Sequence, residues 1–254
     1  MLFLKLQIYI EKMNKDNLIK ICTCGEPVAD NWLKFDKHNC EFLVCPHCNV
    51  WHQFLSGWSE DDYLNFYKTE YHIGYQKKKQ VVTYNDRYNH DRTVSEARLQ
   101  AYRNFISPPM KGLDIGSSNS AFVHVANEQG YQCIGLEIGA NIGDDSVTVR
   151  SNLENSQFEL YSFNFITMHD VIEHMIDPIR ALKKVYDLLS EHGVLIVDLP
   201  NYWIREGEHH WKHIEHLWIW SARQFADLLK KQGLAVQSVT EPIPGKLVFY
   251  ARKV

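Results

Sequence analysis

Three groups of residues in this 254-residue sequence have types and spacings that could do chemistry. The first is Leu113-Asp114-Ile115-Gly116-Ser117-Ser118-Asn119-Ser120, where small residues follow an apolar run and let a ligand come close to the backbone. Glu137 closes a second apolar run about twenty residues later, where a carboxylate can accept both hydroxyls of a ribose. Together they point to a nucleoside-containing cofactor, against the plainer reading of a generic Rossmann unit.

The second group is cysteine. Five of the six cysteines, Cys22, Cys24, Cys40, Cys45 and Cys48, fall in the first fifty residues, a clustering that in a cytosolic chain favours metal over disulfides. Cys45-Pro46-His47-Cys48 sets two thiolates three positions apart in a tight turn, so both can face one tetrahedral zinc. Cys22 and Cys24 complete four ligands, one residue closer than the usual spacing, with Cys40, His47 and His52 as substitutes and reduced, metal-free thiols as the alternative. Four thiolates leave no open position for water, so such a zinc is structural. Cys133, in an expected buried strand, reads as a small hydrophobe.

The third group is the stretch from Glu208 to Ser221, crowded with His209, His210, His213, His216 and three tryptophans. It lies between an expected strand and helix, over the carboxyl ends of the strands, where substrates bind in open α/β sheets. A histidine there can take a proton from a hydroxyl near neutral pH. The plainer readings are loop hydrogen bonds and helix capping, and metal binding by the four histidines is a further option.

These residues need a frame. After Pro108-Pro109 the sequence alternates strand, glycine-containing turn and helix, the pattern of a parallel sheet covered on both faces. Strands are expected at 110–115, 132–137, 147–150, 163–169 and 194–198, with helices at 120–129, 178–190 and 221–233. Two antiparallel strands, 234–240 and 247–252, end the chain. The division expected is 1–58 for an N-terminal segment and cysteine module, 59–109 for a helical linker or cap, and 110–254 for the α/β domain. Trp51, Phe54, Leu55, Trp58, Tyr63 and Phe66 read as core packed onto that domain.

With 27 basic against 31 acidic residues the chain lacks the positive excess that phosphate-backbone binding demands, so no nucleic-acid partner is expected. Lys77-Lys78-Lys79 reads as a solvated helix face. The apolar start, Met1 to Ile10, is far short of the roughly 20 residues that span a bilayer and reads as neither signal nor anchor, with Met13 an equal candidate for the start. A cytoplasmic protein without a membrane partner is expected.

From Gly112 onward the chain resembles the class I S-adenosylmethionine-dependent methyltransferases, whose first motif has the form Leu-Asp-Ile-Gly-x-Gly. The resemblance runs on through Met168-His169-Asp170-Val171-Ile172-Glu173-His174-Met175-Ile176-Asp177-Pro178 and Gly193-Val194-Leu195-Ile196-Val197-Asp198-Leu199-Pro200-Asn201 to the paired final strands. It implies a Rossmann-like seven-stranded sheet, parallel with one antiparallel strand, preceded by a zinc-ribbon-like module, and S-adenosyl-L-methionine as cofactor. By resemblance Asp114, Gly116, Ser117 and Ser118 line the methionine and ribose, Glu137 holds the ribose hydroxyls, Asn152 and Leu153 flank the adenine, and His169 and Asp170 border the site. Ser118 replaces the second glycine, which is tolerable where the backbone avoids positive φ, and Asn164 stands where the family has aspartate.

The segment around Glu215-His216-Leu217 resembles the Glu-His-Leu motif of the cysteine-rich nucleotide-sugar C-methyltransferases, which also carry an N-terminal zinc module. By that resemblance His213, Glu215, His216 and His174 handle protons, with His213 in place of a tyrosine, although the long C-terminal domain of those enzymes is lacking. The acceptor implied is a small hydroxylated molecule, a sugar or nucleotide-sugar, methylated on oxygen or carbon. The alternative from Ser118 and Asn164 is an inactive methyltransferase fold serving as a binding scaffold.

Overall fold

The computed structural model describes residues 17–29, 32–37, 40–75, 87–140 and 142–254, and of 72–75 the backbone only. The segment from Met1 to Ile10, Met13 and the run Lys77-Lys78-Lys79 lie outside them. In chain order come β1 (Leu33–Lys37), β2 (Cys40–Val44), β3 (Trp51–Gln53), α1 (Glu60–Asn65), a π-helical stretch (Phe66–Tyr75) and α2 (Tyr88–Tyr102). Then follow β4 (Lys111–Ile115), α3 (Ala121–Glu128), β5 (Gln132–Glu137), β6 (Thr148–Arg150), β7 (Phe163–His169) and α4 (Pro178–Leu188). The chain ends with β8 (Leu189–Pro200), β9 (Trp218–Ile219), α5 (Ala222–Lys231), β10 (Leu234–Ile243) and β11 (Lys246–Lys253).

Seven strands form one sheet in the order β10-β11-β8-β7-β4-β5-β6. β4 pairs parallel with β5 and β7, and so do β5 with β6 and β7 with β8; β11 alone runs antiparallel to its neighbours β8 and β10. This is the sheet expected from the sequence. Its central strands are apolar runs buried on both faces, as helix-covered parallel strands require.

Local chemistry sets the boundaries. Asp177 accepts the Arg180 N–H and Pro178 supplies the first turn of α4, while Ser221 and Gln224 form a reciprocal capping box on α5. β8 starts earlier than the expected 194, at Leu189 opposite Phe163. Its next partnered residue, Val194, pairs with Phe165, so 190–193 loop outward, with His192 at φ 60°. The largest departure lies at 66–75, where ordinary helix was expected and π-helical turns occur, a form that recurs at functional sites.

A second sheet has the order β1-β2-β3-β9. Its last strand comes from residues 218–219, with Trp51 opposite Ile219 and His52 opposite Trp218. The cysteine segment is thereby hydrogen-bonded into the histidine-rich region, and Leu18, Ile19, Trp32, Leu43 and Leu55 share one apolar cluster with Leu217, Trp218, Trp220 and the sheet residues Ile115, Met168 and Val197. No described helix is long and apolar enough to cross a membrane.

Candidate active site

The turn after β4 is pinned to the end of β5. Gly116 and Ser117 donate their N–H groups to the Leu136 carbonyl at 2.8 and 3.2 Å. The N–H groups of Ser118 and Gly139 donate to opposite oxygens of the buried Glu137 carboxylate, each at 2.8 Å. Gly116 sits at φ 73°, and a Cβ there would come within 2.5 Å of Val171 Cγ2, so glycine is required on both counts. Ser118 has φ 49° and Ser120 φ 63°. The condition under which Ser118 would cost nothing, a turn without positive φ, is therefore not met, and the residue carries left-handed strain. These residues fit a nucleoside cofactor: an acceptor-only carboxylate at the end of β5 faces a glycine-opened turn.

Asp114 is buried beneath this turn. Its Oδ1 accepts the Thr167 hydroxyl at 2.7 Å and lies 3.2 Å from His169 Nδ1. His169 Nε2 meets the Tyr102 hydroxyl at 3.1 Å, Tyr102 donates to Asp198 at 3.2 Å, and Arg98 pairs with Asp198 at 2.8 Å. A continuous polar chain thus ties α2 to β4, β7 and β8. Asp170 has φ 55° and forms an ion pair with Lys246. Its burial opposes ionisation, but the Lys246 ammonium holds the carboxyl below the usual range. Asn152 accepts the Asn155 N–H at 2.9 Å, and Leu153 is buried, both just beyond β6. Asn164 lies at the opposite end of β7 from His169, where its side chain accepts the Lys111 N–H at 2.9 Å.

Near the turn after β4, three of the four residues expected to handle protons come together. His174 follows β7, and its Nδ1 lies 2.6 Å from the Glu215 carbonyl and 2.9 Å from the Tyr67 hydroxyl. The His174 and His216 rings are 4.7 Å apart, and His216 Nδ1 is 2.7 Å from the Tyr202 hydroxyl. The Glu215 carboxylate pairs with Lys212 at 3.3 Å. His213 is exposed and stands outside this cluster. Burial holds His174 down to about 4 and His216 well below its ordinary range, so both rings are neutral near pH 7.

Several members of this site escaped the sequence reading. Tyr63, Tyr67 and Tyr71 recur every four residues along α1 and the π-helical stretch, and that spacing was the available signal. Tyr63, expected only as core, also donates to the His174 carbonyl at 2.9 Å. Glu173 is fully buried, and burial pushes its carboxyl up to about 8. Among the described residues the four histidines do not gather about one point: the His209 and His210 rings lie 3.8 Å apart, tilted by 40°, and the histidine-containing group close enough to share an ion is Glu173, His174 and His216.

In the cysteine segment, Cys22, Cys24, Cys45 and Cys48 bring their sulfurs within 4.8 Å of one another, with Cys22 to Cys48 at 3.5 Å and Cys24 to Cys45 at 3.6 Å. Those separations suit four thiolates about one zinc at roughly 2.3 Å from each. Cys40 is instead packed with Phe42, Tyr202, Trp211 and Ile219. His47 is exposed, and His52 is buried between Trp32 and Trp218.

A family model described as a methyltransferase domain matches residues 88–239, from the start of α2 into β10. The chain belongs to this family. It is an S-adenosylmethionine-dependent methyltransferase. No curated protein matches it. Among solved structures, a methyltransferase of Thermotoga maritima is 20% identical with a TM-score of 0.52, covering 67% of this chain and 98% of its own. One from Archaeoglobus fulgidus is 15% identical with a TM-score of 0.54, covering 72% and 100%. A methyltransferase of Haloferax volcanii, solved with the Trm112 methyltransferase activator, is 14% identical with a TM-score of 0.52, covering 67% and 97%. At these identities the likeness is one of fold.

Proposed function

We propose that this methyltransferase acts on a small hydroxylated acceptor, a sugar or nucleotide-sugar, seated against His174, Glu215 and His216. The observation that carries this reading is the placement of that cluster beside the cofactor turn. Val171, three residues before His174, packs on Gly116, and the Ala140 N–H reaches the Lys68 carbonyl beside Tyr67 at 3.3 Å.

S-adenosylmethionine, when bound, supplies an activated methyl group. Glu137 would hold its ribose hydroxyls, with Asp114, Gly116, Ser117 and Ser118 around the turn, Asn152 and Leu153 toward the adenine, and His169 and Asp170 at the border. The cluster orients the acceptor hydroxyl and receives its proton, while His213 offers a more solvent-exposed group in the same segment. Positioning of the acceptor against the methyl supplies much of the rate. Oxygen methylation needs only this hydroxyl chemistry, whereas carbon methylation also requires a carbanion beside a carbonyl.

We also propose that Cys22, Cys24, Cys45 and Cys48 hold a structural zinc, which fixes a segment too small for its own core. The geometry of Asn164 weighs against the inactive-scaffold reading, since that departure from the family pattern faces away from the cofactor turn.

Calorimetric titration with S-adenosylmethionine and S-adenosylhomocysteine, followed by methyl transfer to a panel of sugars and nucleotide-sugars, tests the reading. Micromolar binding and turnover of a panel member are expected. Cofactor binding with no turnover across the panel would remove the acceptor assignment.

A further inference from the structure

Glu173 is a buried acid whose carboxylate has no hydrogen-bond partner among the described residues. Both of its oxygens are shut off from solvent. A buried carboxylate in that condition calls for a proton or a cation. His174 Nε2 is 4.0 Å from Oε1, beyond hydrogen-bond reach.

Geometry fixes where the His174 proton sits. Its Nδ1 is 2.6 Å from the Glu215 carbonyl oxygen, an atom that only accepts, so Nδ1 carries the hydrogen. The neutral ring then presents a bare lone pair at Nε2, toward Glu173. His216 Nδ1 lies 2.7 Å from the Tyr202 hydroxyl, which can donate or accept, and its Nε2 has no hydrogen bond among the described residues; with the hydroxyl accepting, Nε2 is likewise a bare acceptor. Glu173, His174 and His216 each bring a ligand atom within 4.8 Å of the other two. Acceptors converge here, and among the described residues no side-chain donor is hydrogen-bonded to the Glu173 oxygens or to either Nε2. Histidines whose second nitrogen is anchored by a carbonyl or hydroxyl are also the usual surroundings of metal ligands.

We infer that Glu173, His174 and His216 form a binding site for one divalent transition-metal cation. Two imidazoles and one carboxylate suit zinc, cobalt, manganese or iron, and three protein ligands leave positions for oxygens from outside. Closing each side chain by less than about 1 Å brings all three to bonding distance. The site is separate from the four cysteines and omits His209, His210 and His213. Its existence does not depend on the acceptor proposed above. Its role does rest on that reading: the cation binds the acceptor's hydroxyl oxygen and lowers the pKa of that hydroxyl, as it would for water, and the proton passes to the Glu215 carboxylate because both histidines hold the cation.

The test is titration of the full chain, purified with zinc present, with cobalt(II) alone, in the absence of cofactor and acceptor. Visible absorption and metal analysis read the binding. Expected is one cobalt per chain with the weak visible bands of a nitrogen and oxygen site. The intense near-ultraviolet band of a thiolate site would be absent. Glu173→Gln, which keeps the side chain's size, is expected to weaken binding by about 100-fold or more, and Tyr202→Phe by about 10–100-fold through loss of the His216 anchor. Cobalt binding only with thiolate absorption, or binding undiminished in Glu173→Gln, would overturn the inference. The wild-type titration decides the first outcome even if a variant fails to fold. A chain that binds cobalt but transfers no methyl group keeps this site and loses only the acceptor reading.

Discussion

Gln53, on the last strand of the cysteine module, donates to the carbonyl of His216 at 3.0 Å across 163 residues of sequence. The same amide donates to the Lys212 carbonyl at 2.7 Å and accepts the Ile214 N–H at 2.6 Å. One buried side chain therefore shapes the whole 212–216 turn from outside the methyltransferase sheet. Its removal takes a hydrogen bond from three backbone groups, of which the Lys212 carbonyl keeps the His216 N–H, at about 1–3 kcal/mol for each that stays buried and unsatisfied. Gln53→Leu is expected to destabilise the protein by about 2–4 kcal/mol in denaturant titration and to depress methyl transfer at unchanged S-adenosylmethionine affinity. Full turnover in a stable Gln53→Leu protein would show that the turn is set elsewhere.

Glu137 is expected to act twice, as the acceptor that closes the turn through Ser118 and Gly139 and as the ribose ligand. Glu137→Gln preserves size but removes the charge and one acceptor, and a hydrogen bond to a charged group contributes about 1.5–3 kcal/mol. A fall in S-adenosylmethionine affinity of about 10–100-fold by calorimetry is the expected result. Unchanged affinity would place the ribose elsewhere.

Ser118 holds a left-handed conformation that costs a non-glycine residue about 1–2 kcal/mol. Its buried hydroxyl has no hydrogen-bond partner among the described residues, so little is lost with the side chain. Because glycine also gives back about 0.4–1 kcal/mol through the freedom of the unfolded chain, Ser118→Gly is expected to stabilise by about 0.5 kcal/mol without weakening cofactor binding. Thermal unfolding with and without S-adenosylmethionine measures both. A destabilised variant would mean that the hydroxyl does something the turn geometry does not reveal.

What was legible in the sequence was local. Periodicity and glycine-containing turns placed the sheet and most helices because the central strands are largely apolar and α4 and α5 carry their own N-caps. Cys45-Pro46-His47-Cys48 was readable for the same reason, since one turn sets both thiols. The cluster of His174, Glu215 and His216 was only half legible. His174, Glu215 and His216 could be named through a motif, but Tyr67 and Tyr71 reach them from a π-helical stretch that a 3.6-residue period does not describe. Pairing of β3 with β9 across more than 160 residues leaves no local signature, and neither does the full burial of Glu173. Asn164 shows the converse: a departure from a family motif looked chemical in one dimension and proved to secure the Lys111 backbone at the far end of the strand.

The chain of contacts from Asp114 through His169 and Tyr102 to Asp198 ends on Arg98, whose guanidinium is the nearest positive charge to the buried Asp198 carboxylate. Arg98 lies on α2, before the sheet begins, so this ion pair fastens the helix over the carboxyl ends of the strands. Asp198 is 4% exposed, and removing one partner of a buried pair costs about 3–5 kcal/mol because the other is left uncompensated. Arg98 is partly exposed, which lets water relieve some of that penalty. Arg98→Met, which keeps the apolar stem, is therefore expected to lose about 2–3 kcal/mol, and Arg98→Met combined with Asp198→Asn less than the sum of the two single changes, because the pair is coupled. Denaturant unfolding of the three variants completes the cycle. Strict additivity would show that Asp198 is balanced by the Tyr102 hydroxyl and not by the arginine, and that α2 is held to the sheet by its apolar face alone.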